Sequence, residues 1–311
     1  MDPGSNQALS IADTVSILFV VLLAYGVAEG IFVHLRRHAA RLPEYRMMGV
    51  GLGATALAFG VVFLLVGPFN STIVALWGSR FARWGAGTSP MGWLYGLVVY
   101  EGAYWLMHWM GHKVRLLWCI HSPHHAPESM NMFVGFNHSF LESVFYLPLT
   151  LGLPCALLGV HPLVFAGISL LDVVWGNLLH ISDRVVLRRY GVLERVLQTP
   201  SYHRVHHGQN IRYVDTNYNS ITLLWDYLLG TLQPLDDDEP VIYGITRDVD
   251  TSSFWDVHFG DFVALWRDVR SAPTWRAKLD YLLKPPGWSP NGELDTAAAL
   301  KQRLHAGTDV R

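Results

Sequence analysis

The chain has 311 residues, of which 51% are apolar and only 15% charged, and its mean hydropathy is +0.24. This composition lies outside the soluble average and towards membrane proteins, while a net charge of −2 and an isoelectric point near 6.7 give no electrostatic case for nucleic acid. With only Cys119 and Cys155 available, a thiolate cage for zinc or an iron–sulfur cluster is excluded.

The amino-terminal MDPGSNQ carries no basic stretch ahead of the first apolar run, so no cleavable signal peptide is read there. Five apolar runs follow: Ile11 to Val33, interrupted by Asp13 and Glu29; Met47 to Phe69; Met91 to Met110, with a carboxylate at Glu101; Phe140 to Val160; and Pro162 to Leu179. Each is close to the roughly 20 residues that cross a bilayer. Basic residues concentrate after the first run (Arg36, Arg37, Arg41, Arg46), after the third (Lys113, Arg115) and after the fifth (Arg184, Arg188, Arg189, Arg195). The positive-inside rule puts these segments in the cytoplasm, and the amino terminus and Asn70 to Pro90 opposite, despite Arg80 and Arg83. The sequon Asn70-Ser71-Thr72 would then face outward, a weak signal by itself. Gly51-Leu-Gly53-Ala-Thr-Ala56 matches a dinucleotide fingerprint but lacks the preceding strand and the later acidic residue, so it reads as small-residue helix packing. A cytoplasmic cap is expected from about Ser182, with an acidic turn at Asp236 to Glu239, a break at Lys284 to Pro290 and a short polar helix after it.

The fold class expected is all-α: an integral-membrane helical bundle with a cytoplasmic helical cap holding a histidine-rich dimetal site. Its expected divisions are anchor helices over 1–90, a catalytic domain over 91–235 and a cytoplasmic cap and tail over 236–311.

Eight of the 15 histidines fall in three clusters: His108 and His112; His121, His124 and His125; and His203, His206 and His207. Composition alone gives roughly 0.03 HxxHH strings in such a chain, and this one has two. Residues at i, i+3 and i+4 share a helix face, so each cluster can aim its imidazoles at one point. Eight imidazoles exceed one tetrahedral metal and suffice for two. Ser122 and Pro123 read as an N-cap and first helical residue, leaving His121 just outside its helix. Pro200 and Gly208 bound a short helix carrying the third cluster. Glu101, two turns before His108, is expected to act beside the metals or to accept a proton from a ligand imidazole. Of the other seven histidines, His34, His38, His161, His258 and His305 have no partner spacing.

Glu101-Gly-Ala-Tyr104-Trp105-Leu-Met-His108-Trp-Met-Gly-His112, His121-Ser-Pro-His124-His125-Ala-Pro-Glu128, Thr199-Pro200-Ser201-Tyr-His203-Arg204-Val205-His206-His207-Gly208, Asp215-Thr-Asn217-Tyr218 and Trp225-Asp226-Tyr-Leu-Leu-Gly230-Thr231 together resemble the fatty acid hydroxylase/sterol desaturase superfamily. Pro240 to Thr246 and Pro286 to Pro290 are similar, more loosely, to its alkylglycerol monooxygenase branch. The resemblance implies a membrane di-iron centre (two Fe2+) that uses O2 to hydroxylate or desaturate a lipid: an ether lipid, sterol or fatty acyl chain. It also implies an external reductant, either tetrahydrobiopterin or an electron-transfer partner of the ferredoxin or cytochrome b5 type. By resemblance His180 joins the eight clustered histidines as a ligand. His138 is left between ligation and a hydrogen-bonding or substrate-side role. Trp109, Glu101, Asn137 and Asn219 depart from the usual pattern, which leaves the substrate open. The reading from another class is a histidine-rich membrane metal-binding or transport protein, and a zinc-dependent hydrolase is a third; clusters at helix ends disfavour transport, and one catalytic zinc needs only three protein ligands.

Overall fold

The computed structural model describes residues 11–35, 42–61, 85–142, 146, 148–186, 189–292 and 295–307. Arg36, Arg37, His38, Arg41, the Asn70 sequon, Arg80, Arg83, Arg188 and the end of the second apolar run lie outside them. Among the described residues the chain is helical, with two isolated antiparallel bridges, Leu197 to Thr222 and Gly208 to Tyr243.

The first two apolar runs enter α1 (Ile11–Leu35) and α2 (Leu42–Val61). Both pack on a tight 3-10 turn at Met132–Phe136, where Leu22, Met132, Phe133 and Phe136 form one core. Glu29 of α1 is buried and accepts from the backbone N–H groups of Met132 (2.7 Å) and Ser182 (2.6 Å). A carboxylate in an apolar helix is thereby satisfied and ties α1 to two loops. Gly51 sits inside α2 against the Phe133 carbonyl, consistent with small-residue packing.

The third run forms α3 (Pro90–Lys113), started by the Ser89 side chain accepting from the Gly92 N–H and by Pro90 at its first position. The fifth forms α6 (Pro162–Leu179), in which His161 is the N-cap. The two helices meet at Gly96, where an added Cβ would stand 2.5 Å from Val164, so only glycine permits the approach. Tyr100, Met107, Tyr146, Cys155, Val164 and Ile168 fill the core between them. In the described part of the fourth run the helix is irregular: a π-helical turn at Pro148–Gly152 continues directly into the short α5 (Leu153–Leu157). Pro148 and Pro154 lack the N–H groups that a continuous ladder needs.

Of the described helices, α6 alone is long and apolar enough to cross a membrane by length and composition, and only 22% of it is buried in protein. α3 has the length, but Glu101, His108, His112 and Lys113 lower its hydropathy.

After Lys113 the chain turns at Val114 into α4 (Arg115–His125), and α7 (Pro200–His206) and α8 (Leu224–Leu229) follow α6. The carboxyl-terminal part comes back over α4 as α9 (Phe254–Ser271), α10 (Trp275–Leu283) and α11 (Ala297–His305). α9 packs along α4, pinned by Arg115 to Asp268 and by Ser122 Oγ to Asp261 (2.7 Å). These contacts fix the histidine-bearing helix from outside.

Candidate metal centre

Nine buried histidines converge where α3, α4, α6 and α7 end, and they sort into two groups. The first holds His108, His112, His121, His125 and His206; the second holds His124, His180, His203 and His207, with the candidate ligand atoms of each group within 4.8 Å of one another. The HxxHH spacing explains the sorting. At about 100° per residue, positions i and i+4 lie within about 40° of each other, while i+3 points about 60° to the other side. So α4 sends His121 and His125 to the first group and His124 to the second; α7 sends His203 and His207 to the second and His206 to the first. The groups share a wall where His125 stacks on His207, centroids 4.4 Å apart.

Backbone and carboxylate groups fix which nitrogen faces inward. His108 Nδ1 donates to the Tyr218 carbonyl (2.8 Å), His206 Nδ1 to that of Thr216 (2.8 Å) and His180 Nδ1 to that of Gly176 (2.6 Å). A proton committed to Nδ1 leaves the Nε2 lone pair free for ligation. The Nε2 atoms of His108, His112 and His206 are buried with no hydrogen-bond partner among the described residues, and other Nε2 pairs stand 2.9 Å (His203 to His180) to 3.2 Å (His124 to His180, His125 to His121) apart. Converging lone pairs with too few protons between them are costly unless a cation is shared, so the donor set fits metal ions that accept imidazole. Burial, then neighbouring imidazoles, hold His112, His124, His125, His203 and His207 well below the usual histidine range. For His180 and His206 burial outweighs the carbonyl hydrogen bond and brings the pKa to about 3. Neutral imidazole is the ligating form.

Some expectations change. Ser122 is no N-cap and His121 is not outside its helix: α4 runs from Arg115 through Pro123 to His125, because the Ser122 hydroxyl donates to Asp261 of α9 while its carbonyl accepts from Ala126 N. Glu101 is fully buried, but its carboxylate turns away from the imidazoles and accepts from Asn219 Nδ2 (2.9 Å), Ile221 N (3.1 Å), Thr222 N (2.8 Å) and Thr222 Oγ1 (2.7 Å). Glu101 and Asn219, both departures from the family pattern, thus bind each other. Asn137 donates to the Pro123 carbonyl (2.6 Å), closing the last turn of α4.

His138 belongs to neither group. It stacks on His124 (4.2 Å, 17°) and donates through Nδ1 to Glu142 Oε2 at 2.7 Å. Burial would lower its pKa, but the Glu142 carboxylate holds it above the ordinary value. Glu142 also meets His121 Nδ1 at 3.2 Å, and Asp215 lies 3.4 Å from His112 Nδ1 while its other oxygen pairs with Lys113. Neither carboxylate was singled out from sequence. The i, i+4 spacing of His138 and Glu142 and the Asp215-Thr-Asn-Tyr string were the available signals. Asp215 (φ 58°) and Asn217 (φ 57°) hold left-handed conformations. Asn217 sustains the turn by bonding Tyr202 O (3.1 Å) and Gln233 O (2.7 Å), and the turn presents the Thr216 and Tyr218 carbonyls to His206 and His108.

The fatty acid hydroxylase family model matches residues 93–231. Similar proteins include the alkylglycerol monooxygenases of Danio rerio, 32% identical over 81% of this chain and 50% of that protein, and of Homo sapiens, 33% identical over 65% and 44%. The ornithine lipid hydroxylase of Rhizobium tropici is 30% identical over 50% of this chain and 45% of its own. The chain therefore spans half or less of the length of these relatives. No solved structure matches it.

Proposed function

We propose that this chain, which belongs to the fatty acid hydroxylase family through residues 93–231 and is related to its alkylglycerol monooxygenases, is a multi-pass membrane di-iron oxygenase that uses O2 to hydroxylate or desaturate a lipid C–H bond. The observation that carries this reading is the sorting of nine buried imidazoles into two adjoining groups. His108, His112, His121, His125 and His206 would hold one iron; His124, His180, His203 and His207 the other. Bound there, the irons would supply the reduction of O2 that attack on an unactivated C–H bond requires.

The chain's own part is orientation and exclusion of water. Carbonyls of Gly176, Thr216 and Tyr218 and the carboxylates of Glu142 and Asp215 aim the ligand rings. Tyr104 meets His108 edge-on, 5.7 Å between centroids, and walls the first group on the α3 side. Glu101 is reassigned from the reacting atoms to positioning, through the loop that carries Tyr218. The division into anchor (1–90), catalytic domain (91–235) and carboxyl-terminal cap (236–311), with the histidines on the cytoplasmic side, belongs to the same proposal. An ether lipid is the first substrate class, because relatives named for alkylglycerol are matched over the longest stretch; sterols and fatty acyl chains are the alternatives. Electrons come from outside, from tetrahydrobiopterin or a ferredoxin- or cytochrome b5-type protein.

Protein purified without oxygen is expected to hold about two irons per chain and to consume O2 with a reductant and an alkylglycerol. Zinc retained after iron loading, without turnover on any of the three lipid classes, would sink the oxygenase reading. A metal transporter would hold its ligands along a path, whereas these nine close on one another.

A further inference from the structure

The short helix α8 carries Leu224, Tyr227, Leu228 and Leu229 at 40%, 76%, 62% and 49% exposure. Beside it, the turn at Gly191–Arg195 and the residue after it expose Val192, Leu193 and Val196. The Leu197 to Thr222 bridge and the bond from Leu223 N to Val196 O (2.9 Å) hold the two segments side by side, so these side chains form one apolar strip. In water such a strip is unfavourable.

Its level is set by α3. Trp225 Nε1 donates to Val98 O (3.0 Å), and its indole covers Gly102, where a Cβ would come within 2.9 Å. Trp105 Nε1 reaches back to Asp226 Oδ1 (3.1 Å) and Thr231 Oγ1 (3.0 Å). α8 therefore lies along Val98 to Trp105, the middle of the run from Met91 to Met110. At 1.5 Å per residue that run is about 29 Å long, the thickness of the hydrocarbon core. α8 is thus about one to three turns deeper than His108 and about two to four turns deeper than His112.

The irregular backbone that leads into α8 is built for a place without water. Tyr218 N and Asn219 N donate to the two Asp226 oxygens (both 2.8 Å), and Ile221 N and Thr222 N donate to the two Glu101 oxygens. Non-helical backbone at membrane depth survives only when its polar groups are satisfied within the protein, and here two buried carboxylates do so. Arg195 ends the turn beside the strip, where a long basic side chain can reach headgroups, and Arg189 turns instead to the acidic turn, donating to Leu235 O (2.6 Å) and pairing with Asp237.

We infer that α8 and the adjoining Val192, Leu193 and Val196 edge are embedded in the acyl layer of the bilayer, as a re-entrant rim beside α3, and that the segment after Ser182 is not wholly cytoplasmic. This rests on the membrane reading of α3 and α6.

The test uses the full chain in lipid vesicles, with a bimane fluorophore on Leu228→Cys and, separately, on Tyr227→Cys. Cys119 and Cys155 are buried and leave the parent unlabelled. Leu171→Cys on α6 serves as lipid reference and Asp237→Cys in the acidic turn as water reference. Lipids brominated on their acyl chains are expected to quench positions 227 and 228 several-fold more strongly than 237, and aqueous iodide several-fold less. Iodide quenching of 227 and 228 at the level of 237 overturns the inference while a lipid-quenched 171 leaves the membrane reading standing. Protection from both quenchers also overturns it, because protein and not lipid then covers the strip. Iodide quenching at 171 removes the membrane reading itself, and the inference with it.

Discussion

In the first histidine group His108, His112, His121 and His206 each turn the outer nitrogen to a carbonyl or carboxylate: Tyr218, Asp215, Glu142 and Thr216. In the second, His180 has the Gly176 carbonyl, but His124 Nδ1 and His203 Nδ1 are buried without a partner among the described residues, and His124 is held by the His138 ring stacked on it. The same HxxHH motif supplies both groups, so the difference lies in what surrounds the rings. Anionic partners raise imidazole basicity and fix ring orientation, whereas stacking fixes only the plane. On the proposed di-iron reading, the first group would be the stronger and stiffer site, and the second would exchange metal more readily.

The largest test of this difference removes a ligand from each side. His206→Ala and His203→Ala are each expected to lower turnover at least about 100-fold with membrane insertion unchanged. Metal analysis should show the first variant losing the ion held more tightly against a chelator, and the second the one lost first. Loss of both ions in both variants would show one coupled site and end the contrast. Smaller effects follow from the partners: Asp215→Asn is expected to weaken retention at the first group about 10–100-fold and spare the second, read as the convergence of two chelation phases into one, whereas Glu142→Gln, which also releases the His138 ring stacked on His124, is expected to weaken both.

Acid sensitivity needs a correction before it is ascribed to either group. His258 is buried on α9 with both ring nitrogens unpartnered among the described residues, and burial, with a smaller contribution from His138, lowers its pKa from 6.5 to about 4. Because the unfolded chain takes up this proton first, its contribution to stability is intact above pH 6.5 and is lost as pH falls through about 4. Over that window it amounts to about 3 kcal/mol. His258→Leu should flatten this part of the denaturation midpoint plotted against pH; acid loss that persists in the variant belongs to the metal-binding imidazoles. The smallest effect is a control. Thr55→Val removes the hydroxyl that donates to Phe136 O (2.6 Å) and should cost about 0.5–1.5 kcal/mol of stability, with both chelation phases unmoved.

The nine histidines were legible because i, i+3 and i+4 spacing is local and resemblance supplied His180. Their division between two groups was not read, since it depends on how α4 and α7 face each other. Ser122 misled for the opposite reason: Ser-Pro is a local start signal, and a contact with Asp261, far along the chain, overrides it. Glu101 shared a helix face with His108 as its spacing implied, yet a carboxylate chooses among all nearby donors, and the loop at 219–222 offers four. The helical fold followed from apolar runs, while the π-helical turn at Pro148–Gly152 in the fourth run is an irregularity that length alone could not reveal.

The turn at Asp215 to Tyr218 has a consequence for the order of events during biosynthesis. On the proposed membrane reading, His108 and His112 would enter the bilayer with α3 before the ribosome has made α7 or the turn that aims them. Early in synthesis these two rings have neither their fellow ligands nor the Tyr218 carbonyl and Asp215 carboxylate that orient them. Closing so long a loop is entropically costly before its contacts form. On that reading metal loading would be a late, post-insertional event, and a chain truncated before Asp215 is expected to reach the membrane yet be a poor acceptor for iron.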